Sequence, residues 1–315
     1  MKKLFVVIAA AAAIFSCNRS GKEQVAQYRS FPKVEIPSMI TDNAEMASYA
    51  LSHYWDAFFA EDGVTDSAAV LGVQNKDLEM ATATYLQIAT MVPKAEGQKA
   101  IGKLFQKIES KQASDTSSHV YLLLTELVSQ YLYDPNSPYR DEDLYLPFVR
   151  GMAASKFTKD NVRPGYVFEE KMCSLNQYGT PATDFRFKDI KGRVHNLYGV
   201  KADYTLLFFS NPGCESCAEI KETLQKSVAL TDLIEKGKVA IVNIYIDQEL
   251  DKWREFVPNY PKSWISGYDY EYIIRQNAIY NVRAIPSVYL LGPGKEVLLK
   301  DAPVENIMNF IINNI

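Results

Sequence analysis

The chain has 315 residues, 47% of them hydrophobic, and a formal net charge of −4 at pH 7. This length is enough for two domains with separate cores, and the slightly acidic balance without a basic cluster gives no indication of nucleic-acid binding. Its four cysteines are too few for a small scaffold held together by disulfides.

The N-terminus has the pattern of an export signal. Two lysines precede an apolar run over Leu4–Phe15, which is too short to cross a bilayer as a helix. The run ends in Ile14-Phe15-Ser16-Cys17, which resembles the lipobox of bacterial lipoproteins, where the signal is cleaved before a cysteine that is then acylated. We therefore predict a signal peptide over 1–17, lipidation of Cys17, and a polar tether over 18–36 without hydrophobic periodicity.

The lipobox predicts where the protein works. It indicates an exported protein that is lipid-anchored to a bacterial membrane and faces the periplasm, because several acyl chains anchor a protein stably where a single chain does not. Phe15 is bulky where a lipobox more commonly has a small residue. An ordinary secretory signal, cleaved nearby, is therefore the alternative.

Residues 37–160 are predicted to form an all-α domain. Asp42-Asn-Ala-Glu45 has capping-box spacing, and apolar residues then recur mostly at three- and four-residue steps as far as Phe58. Further helices are predicted over 76–91, 96–109, 118–133 and from 141 to about 155. The aromatic residues of this segment are at helical spacing, which is more typical of a core than of a ligand groove. Its residues do not indicate a function.

From residue 161 to the end of the chain the pattern changes to mixed strands and helices. In chain order these are a hairpin over 185–197, a strand over 204–209, a helix to about residue 234, a strand over 239–246, a hairpin over 287–299 and a helix over 305–312. The order β-α-β followed by β-β-α predicts a mixed sheet covered by helices.

Cys214-Glu215-Ser216-Cys217 lies between the strand over 204–209 and the helix that follows it. Two cysteines separated by two residues, at the start of a helix, are typical of a redox dithiol. Their spacing allows the sulfurs to meet within one helical turn. The free N–H groups and the dipole of the helix N-terminus favour a thiolate there.

This order of elements, with the dithiol after a strand and Ala284-Ile285-Pro286 before the later hairpin, resembles the thioredoxin fold. More narrowly, Gly179-x-Pro-Ala-x-Asp-Phe185, Asp189-x-x-Gly192 and Leu206-Leu-Phe-Phe-Ser-Asn-Pro-Gly-Cys214 are similar to the extracytoplasmic, membrane-tethered thioredoxin-like proteins (TlpA/ResA-like and AhpC/TSA-like). About 69 residues separate the dithiol from Pro286, and the tethered group carries an inserted strand and helix in this interval. The helical segment is similar to an uncharacterised domain that precedes such modules in exported lipoproteins.

The resemblance implies an α+β multidomain protein, with an N-terminal all-α domain over 37–160 and a C-terminal thioredoxin-like α/β domain with a mixed sheet over 161–315. It implies that Cys214 is the attacking thiol and Cys217 the resolving thiol. Pro286 matches the cis-proline that faces the dithiol in this fold, where the backbone of the preceding residue, here Ile285, pairs with the extended chain of a substrate. Taken alone, Pro286 also fits a proline at the entry of a strand.

Three departures from the family pattern concern the proton acceptor, the surface that faces the substrate, and the charge beside the dithiol. Phe208 occupies the position of a buried aspartate in thioredoxin, so the proton acceptor for Cys217 is predicted to be Glu215, Glu219 or water. Gly213 stands where many relatives have tryptophan, which makes the surface that faces the substrate smaller. The carboxylate of Glu215, between the two cysteines in sequence, opposes thiolate formation and so favours a reductase over an oxidase.

We therefore predict a membrane-anchored thiol–disulfide oxidoreductase, acting as a reductase of disulfides in exported proteins. A membrane or extracytoplasmic redox partner would restore the dithiol, and we predict no cofactor, no metal and no nucleic-acid partner. A zinc site needs about four ligands, and no second cysteine pair is present in the sequence. A peroxidase fits poorly, because Asn211 and Leu207 stand where peroxiredoxins carry threonine or serine and proline. The alternative from another class is a non-catalytic scaffolding lipoprotein whose helical domain recognises a partner.

Cys173 has no place in this scheme. It lies in the predicted connector before the thioredoxin-like segment. A buried, unreactive thiol is one interpretation, and a third thiol that relays electrons to the dithiol is the other.

Overall fold

The computed structural model describes residues 28–315. The predicted signal peptide, Cys17 and the first part of the predicted tether lie outside the described residues. The described end of the tether segment packs on the helical half of the chain: Arg29 donates hydrogen bonds to the carbonyl oxygens of Leu71 and Phe58, at 2.9 and 3.1 Å. Within the described part of the chain, no helix is both long enough and apolar enough to cross a membrane.

The N-terminal half is helical, as its periodicity predicts. Its helices are α1 (Asn43–His53), α2 (Asp56–Ala60), α3 (Asn75–Thr90), α4 (Lys94–Ser114), α5 (Val120–Leu132), α6 (Glu142–Ala154) and α7 (Arg163–Cys173). The side chain of Asp42 caps α1 by accepting hydrogen bonds from the N–H groups of Ala44 and Glu45. A turn divides the first predicted helix into α1 and α2 and buries both Trp55 and Phe58 in the core.

Helix α7 is one element of this half that the sequence pattern does not predict; the short hairpin over 69–74 is the other. The segment was expected to be a connector, because Pro164 falls at the change of pattern. The proline instead occupies the first turn of α7, where its missing N–H costs no hydrogen bond. Helix α7 packs against α6, and its last residue, Cys173, is buried in the helical core.

The C-terminal half contains a mixed sheet. Before it, a short hairpin in the helical half is formed by β1 (Ala69–Val70) and β2 (Val73–Gln74). The strands of the mixed sheet are β3 (Arg186–Asp189), β4 (Val194–Asn196), β5 (Tyr204–Phe209), β6 (Val239–Tyr245), β7 (Ile265–Tyr268), β8 (Ser287–Leu291) and β9 (Val297–Leu299). In the described part of the chain this sheet has seven strands in the order β4-β3-β7-β6-β5-β8-β9. Strand β6 pairs in parallel with both β5 and β7, and β8 is antiparallel to β5.

Helices cover this sheet. They are α8 (Glu215–Lys226), α9 (Val228–Glu235), α10 (Leu250–Phe256), α11 (Ile273–Gln276) and α12 (Val304–Asn314). Between Cys217 and Pro286, α8 is followed in chain order by α9, β6, α10, β7 and α11.

Strand β5 lies inside the sheet and is buried on both faces. Successive side chains of a strand point to opposite faces. Leu206 and Phe208 therefore join the core that also contains Cys217, whereas Leu207 and Phe209 join the core on the other face. This position carries the end of β5, and the dithiol that follows it, to one edge of the sheet.

Candidate redox site

The dithiol lies where β5 gives way to α8. Gly213 has a φ of +74°, a left-handed conformation that glycine adopts without the steric cost of a Cβ. The turn at Gly213 places Cys214 at the N-cap of α8. Both cysteines are therefore in the first turn of the helix, where free N–H groups and the helix dipole favour negative charge.

Cys214 and Cys217 form a disulfide bond, with their Cα atoms 5.2 Å apart. The N–H of Cys217 donates a hydrogen bond of 3.1 Å to Sγ of Cys214. Cys214 is partly exposed, whereas Cys217 is 2% exposed and packs in the core beneath the helix. A molecule from solution therefore reaches Cys214 first.

The Ile285–Pro286 peptide bond is cis and faces the dithiol. The carbonyl oxygen of Ile285 lies 3.9 Å from Sγ of Cys214. The structure thus brings together Cys214, Cys217, Ile285 and Pro286, from two segments far apart in the chain. An extended backbone beside Pro286 would lie within reach of the exposed sulfur.

The structure does not bring Glu215 or Glu219 into contact with the sulfurs. Both are exposed on α8, and neither has a hydrogen bond or an ion pair with a cysteine among the described residues. Phe208 is fully buried in the same core as Cys217. Proton transfer from Cys217 to either glutamate would therefore pass through water.

A polar group beside the dithiol was not found by reading the sequence. The side-chain amide of Asn211 donates a hydrogen bond to the carboxylate of Asp247, and Nε of Arg275 lies 2.7 Å from Oδ1 of the same carboxylate. Strands β5 and β6 are parallel, so the residues that follow them meet at the same edge of the sheet. Asp247 stands two residues after β6, and this position is a sequence signal that indicates it. The sequence around Arg275 contains no comparable signal.

Beneath the loop before the dithiol lies a second, buried polar group. The hydroxyl of Ser210 donates to Oδ1 of Asn243 at 2.5 Å and lies 2.8 Å from the hydroxyl of Tyr260. Burial raises the pKa of Tyr260, and its hydrogen bonds with Ser210 and Asn243 oppose the shift. Asn243 is the polar residue in the apolar run of β6, and a buried amide needs partners, so the sequence did contain a signal here.

Cys173 and the dithiol pack in different hydrophobic cores. It is 0% exposed and belongs to the core of the helical half, whereas Cys214 and Cys217 pack against the core of the sheet. Burial raises the pKa of the Cys173 thiol well above its usual range, and the nearby Glu142 raises it further. These surroundings disfavour the thiolate that an electron relay needs. Among residues 28–315, no group of three or more metal-ligating side chains is present.

Comparisons with known proteins agree with both halves of the fold. Residues 13–169 match a family described as a domain of unknown function (DUF5106), and residues 202–297 match a family described as thioredoxin-like. A thioredoxin-like protein from Bacteroides caccae is 33% identical, with a TM-score of 0.78, over 91% of this chain and 99% of that chain. The match therefore extends through the helical half as well as the sheet.

Two further solved structures each match less than half of this chain. The C-terminal domain of an uncharacterized protein from Bacteroides fragilis is 39% identical over 44% of this chain and 99% of that chain, with a TM-score of 0.43. The thioredoxin domain of a thiol-disulfide oxidoreductase from Bacteroides vulgatus is 19% identical over 42% of this chain and 97% of that chain, with a TM-score of 0.38. No curated protein matches the chain.

Proposed function

The chain belongs to the thioredoxin-like proteins, and on that basis we propose that it is a thiol–disulfide oxidoreductase that reduces disulfides of exported proteins. The observation that carries the proposal is the geometry of the dithiol. A partly exposed Cys214 at a helix N-terminus is bonded to a buried Cys217 and faces the carbonyl oxygen of Ile285, 3.9 Å away.

In the proposed reaction the reduced protein transfers two electrons to its substrate. The Cys214 thiolate attacks one sulfur of a substrate disulfide, the substrate S–S bond breaks, and the released sulfur takes up a proton. Cys217 then loses its proton and attacks Sγ of Cys214, which releases the second substrate thiol. The protein is left with the Cys214–Cys217 disulfide.

The surroundings of the two cysteines support these roles. The N–H of Cys217 stabilises a thiolate on Cys214 by donating to its sulfur. Glu215 and Glu219 are the proposed proton acceptors for Cys217, through water, because both are exposed on the helix that carries the dithiol. The backbone of Ile285, beside Pro286, is the proposed site at which an extended substrate chain pairs.

The cellular setting is part of the same proposal. The lipobox at Cys17 supports a lipid anchor on a bacterial membrane with the catalytic half facing the periplasm. There the substrates would be exported proteins with disulfides. A membrane or extracytoplasmic redox partner would have to return two electrons to the dithiol after each turnover, since the reaction as written uses no cofactor.

Reduction of insulin by the purified full chain, with dithiothreitol as the electron source, tests the proposal. We expect the wild-type chain to accelerate reduction and Cys214→Ser to abolish the acceleration. Reduced Cys217→Ser, mixed with insulin after the dithiothreitol has been removed, should accumulate a mixed disulfide at Cys214. A reduction potential near that of thioredoxin, about −270 mV, would support a reductase, and one near about −120 mV would indicate a disulfide donor. A wild-type chain no faster than Cys214→Ser would contradict the proposal and leave the scaffolding alternative.

A further inference from the structure

A buried group of charged side chains joins the helical half of the molecule to the segment that faces the dithiol. We call this segment, Arg283–Ser287, the proline loop, because it contains Ile285 and Pro286. Its first residue is an arginine whose guanidinium is largely buried. The contacts of this guanidinium connect the proline loop to both halves of the chain.

Asp301 binds both ends of the proline loop. Its Oδ2 lies 2.7 Å from Nη2 of Arg283, and its Oδ1 accepts a hydrogen bond of 2.7 Å from the hydroxyl of Ser287. One buried carboxylate therefore spans the loop. The Ile285 carbonyl that faces Cys214 lies between these two attachment points.

Glu142, at the start of α6 in the helical half, binds the same arginine. Its Oε1 lies 3.0 Å from Nε of Arg283 and accepts a hydrogen bond of 2.7 Å from the side chain of Asn281. Its Oε2 lies 2.9 Å from Nζ of Lys300. Because Glu142 is 1% exposed, these contacts are shielded from water, and loss of one charged partner leaves another charge buried without compensation.

Two more residues of the helical half complete the attachment. The guanidinium carbon of Arg283 lies 4.4 Å from the ring centre of Tyr133, within the range of a cation–π interaction. Arg140 donates a hydrogen bond of 2.8 Å to the carbonyl oxygen of Asp301. Three side chains of the helical half, Glu142, Tyr133 and Arg140, therefore hold Arg283 and Asp301.

We propose that Glu142 is a positioning residue of the redox site: acting through Arg283, it holds the proline loop at the distance from Cys214 that a protein disulfide substrate requires. The helical half thereby completes the docking surface of the thioredoxin-like half. This inference rests on the proposed function, since it concerns the binding of a protein substrate to the same site.

A positioning role separates two kinds of substrate. A protein disulfide must lay its backbone along the proline loop as well as present its sulfurs to Cys214. A small disulfide such as hydroxyethyl disulfide needs contact with Cys214 alone. Displacement of the proline loop should therefore slow the reduction of a protein disulfide and leave the reduction of hydroxyethyl disulfide unchanged. General destabilisation of the interface would slow both reactions alike.

The test compares Glu142→Gln with Asp143→Asn in the full chain. Asp143 is the matched control, because it is the next residue of α6, is also buried, and accepts a hydrogen bond from the N–H of Tyr178 instead of contacting the proline loop. For Glu142→Gln we expect KM for insulin to rise about tenfold, because the neutral amide removes a buried negative charge that lies 3.0 Å from Arg283. We expect the rate with hydroxyethyl disulfide to change less than about twofold. Asp143→Asn should leave both values within about twofold of wild type.

A double variant shows whether the effect passes through Arg283. If it does, adding Glu142→Gln to Arg283→Gln raises KM for insulin no further than Arg283→Gln alone. Equal losses with both substrates in Glu142→Gln, or a KM equal to that of Asp143→Asn, would overturn the positioning role. Independent, multiplying effects of Glu142→Gln and Arg283→Gln would overturn the route through Arg283.

Amide hydrogen exchange tests the role of Glu142 without requiring any reductase activity. In the oxidised full chain we expect Glu142→Gln to accelerate amide exchange in the proline loop, while Asp143→Asn leaves it at the wild-type rate. If wild type reduces neither disulfide, the proposed function fails, and the exchange rates still decide the inference. Unchanged exchange in Glu142→Gln would then show that Glu142 does not hold the proline loop.

Discussion

At the scale of single residues, the surroundings of Cys214 and Cys217 make them chemically unequal. Cys214 is partly exposed and accepts a hydrogen bond from the N–H of Cys217, whereas Cys217 is buried. The charged residue nearest to the dithiol in sequence is Glu215, which is exposed in the first turn of α8. Because its carboxylate opposes a thiolate on the neighbouring sulfur, Glu215 bears on the direction in which the dithiol exchanges electrons.

Replacing Glu215 by glutamine should make the dithiol more oxidising. Removal of the negative charge stabilises the thiolate and therefore the reduced form, so we expect the reduction potential to rise by roughly 10–20 mV, a small shift because the charge is exposed to solvent. Equilibration with glutathione buffers measures it. Glu219→Gln, one helical turn further along α8, is the control and should shift the potential less. An unchanged or lower potential in Glu215→Gln would show that this charge does not tune the dithiol.

At the scale of elements, helices α4 and α6 of the helical half pack closely against each other. Gly151 of α6 lies against the ring of Phe105 on α4: a Cβ at this position would be 2.3 Å from a ring carbon. Phe105 is buried and packs edge-on against Phe148, with ring centres 5.3 Å apart, so a Cβ at Gly151 would have to displace a packed ring. Gly102 of α4 faces the same contact with more space, since its Cβ would lie 3.5 Å from Cβ of Pro147.

Alanine at these two glycines should therefore have opposite effects on stability. We expect Gly151→Ala to lower the free energy of unfolding by about 1–2 kcal/mol, because the clash with Phe105 outweighs the gain in helix propensity. Gly102→Ala should raise it by about 0.5–1 kcal/mol, the usual gain of replacing glycine in a helix. Urea unfolding followed by far-ultraviolet circular dichroism measures both. The same sign for the two variants would contradict this account of the α4–α6 contact.

At the scale of the whole molecule, the two halves share a set of buried charges. Lys300, at the end of β9, pairs with Glu142 of α6 and donates hydrogen bonds to the carbonyl oxygens of Cys173 and Leu175 in the connecting segment. Its side chain is 1% exposed. Lys300 thus contacts the helical half, the connection and the sheet at once, so the relative position of the halves depends on it.

Lys300→Met should destabilise the protein strongly. The substitution leaves Glu142 with one fewer buried cation and two backbone carbonyls without a donor, so we expect the free energy of unfolding to fall by about 3–5 kcal/mol. Urea unfolding followed by tryptophan fluorescence measures the loss. Lys226→Met removes an exposed lysine paired with Glu222 on α8 and should change stability by less than about 0.5 kcal/mol. Similar values for the two variants would refute a special role of the buried cluster.

The sequence by itself determined what depends on neighbours along the chain. The strand over 204–209 agrees with β5 at both ends, and the helices of the N-terminal half lie close to their predicted positions, because hydrophobic periodicity and capping act over a few residues. The dithiol could also be predicted from the sequence, because two cysteines three positions apart meet within one helical turn. Helix α7 was missed because Pro164 marks both the start of a helix and a break in a pattern.

Only the tertiary structure decided which distant residues meet. Glu142 and Asn281 are 139 residues apart, and nothing in the surroundings of either in sequence points to the other. Arg275 joins Asp247 beside the dithiol in the same way. A buried charge is stabilised by whichever partner the folded chain brings to it, and that partner is set by the packing of the helical half on the sheet. The connection of the helical half to the proline loop therefore became visible in three dimensions alone.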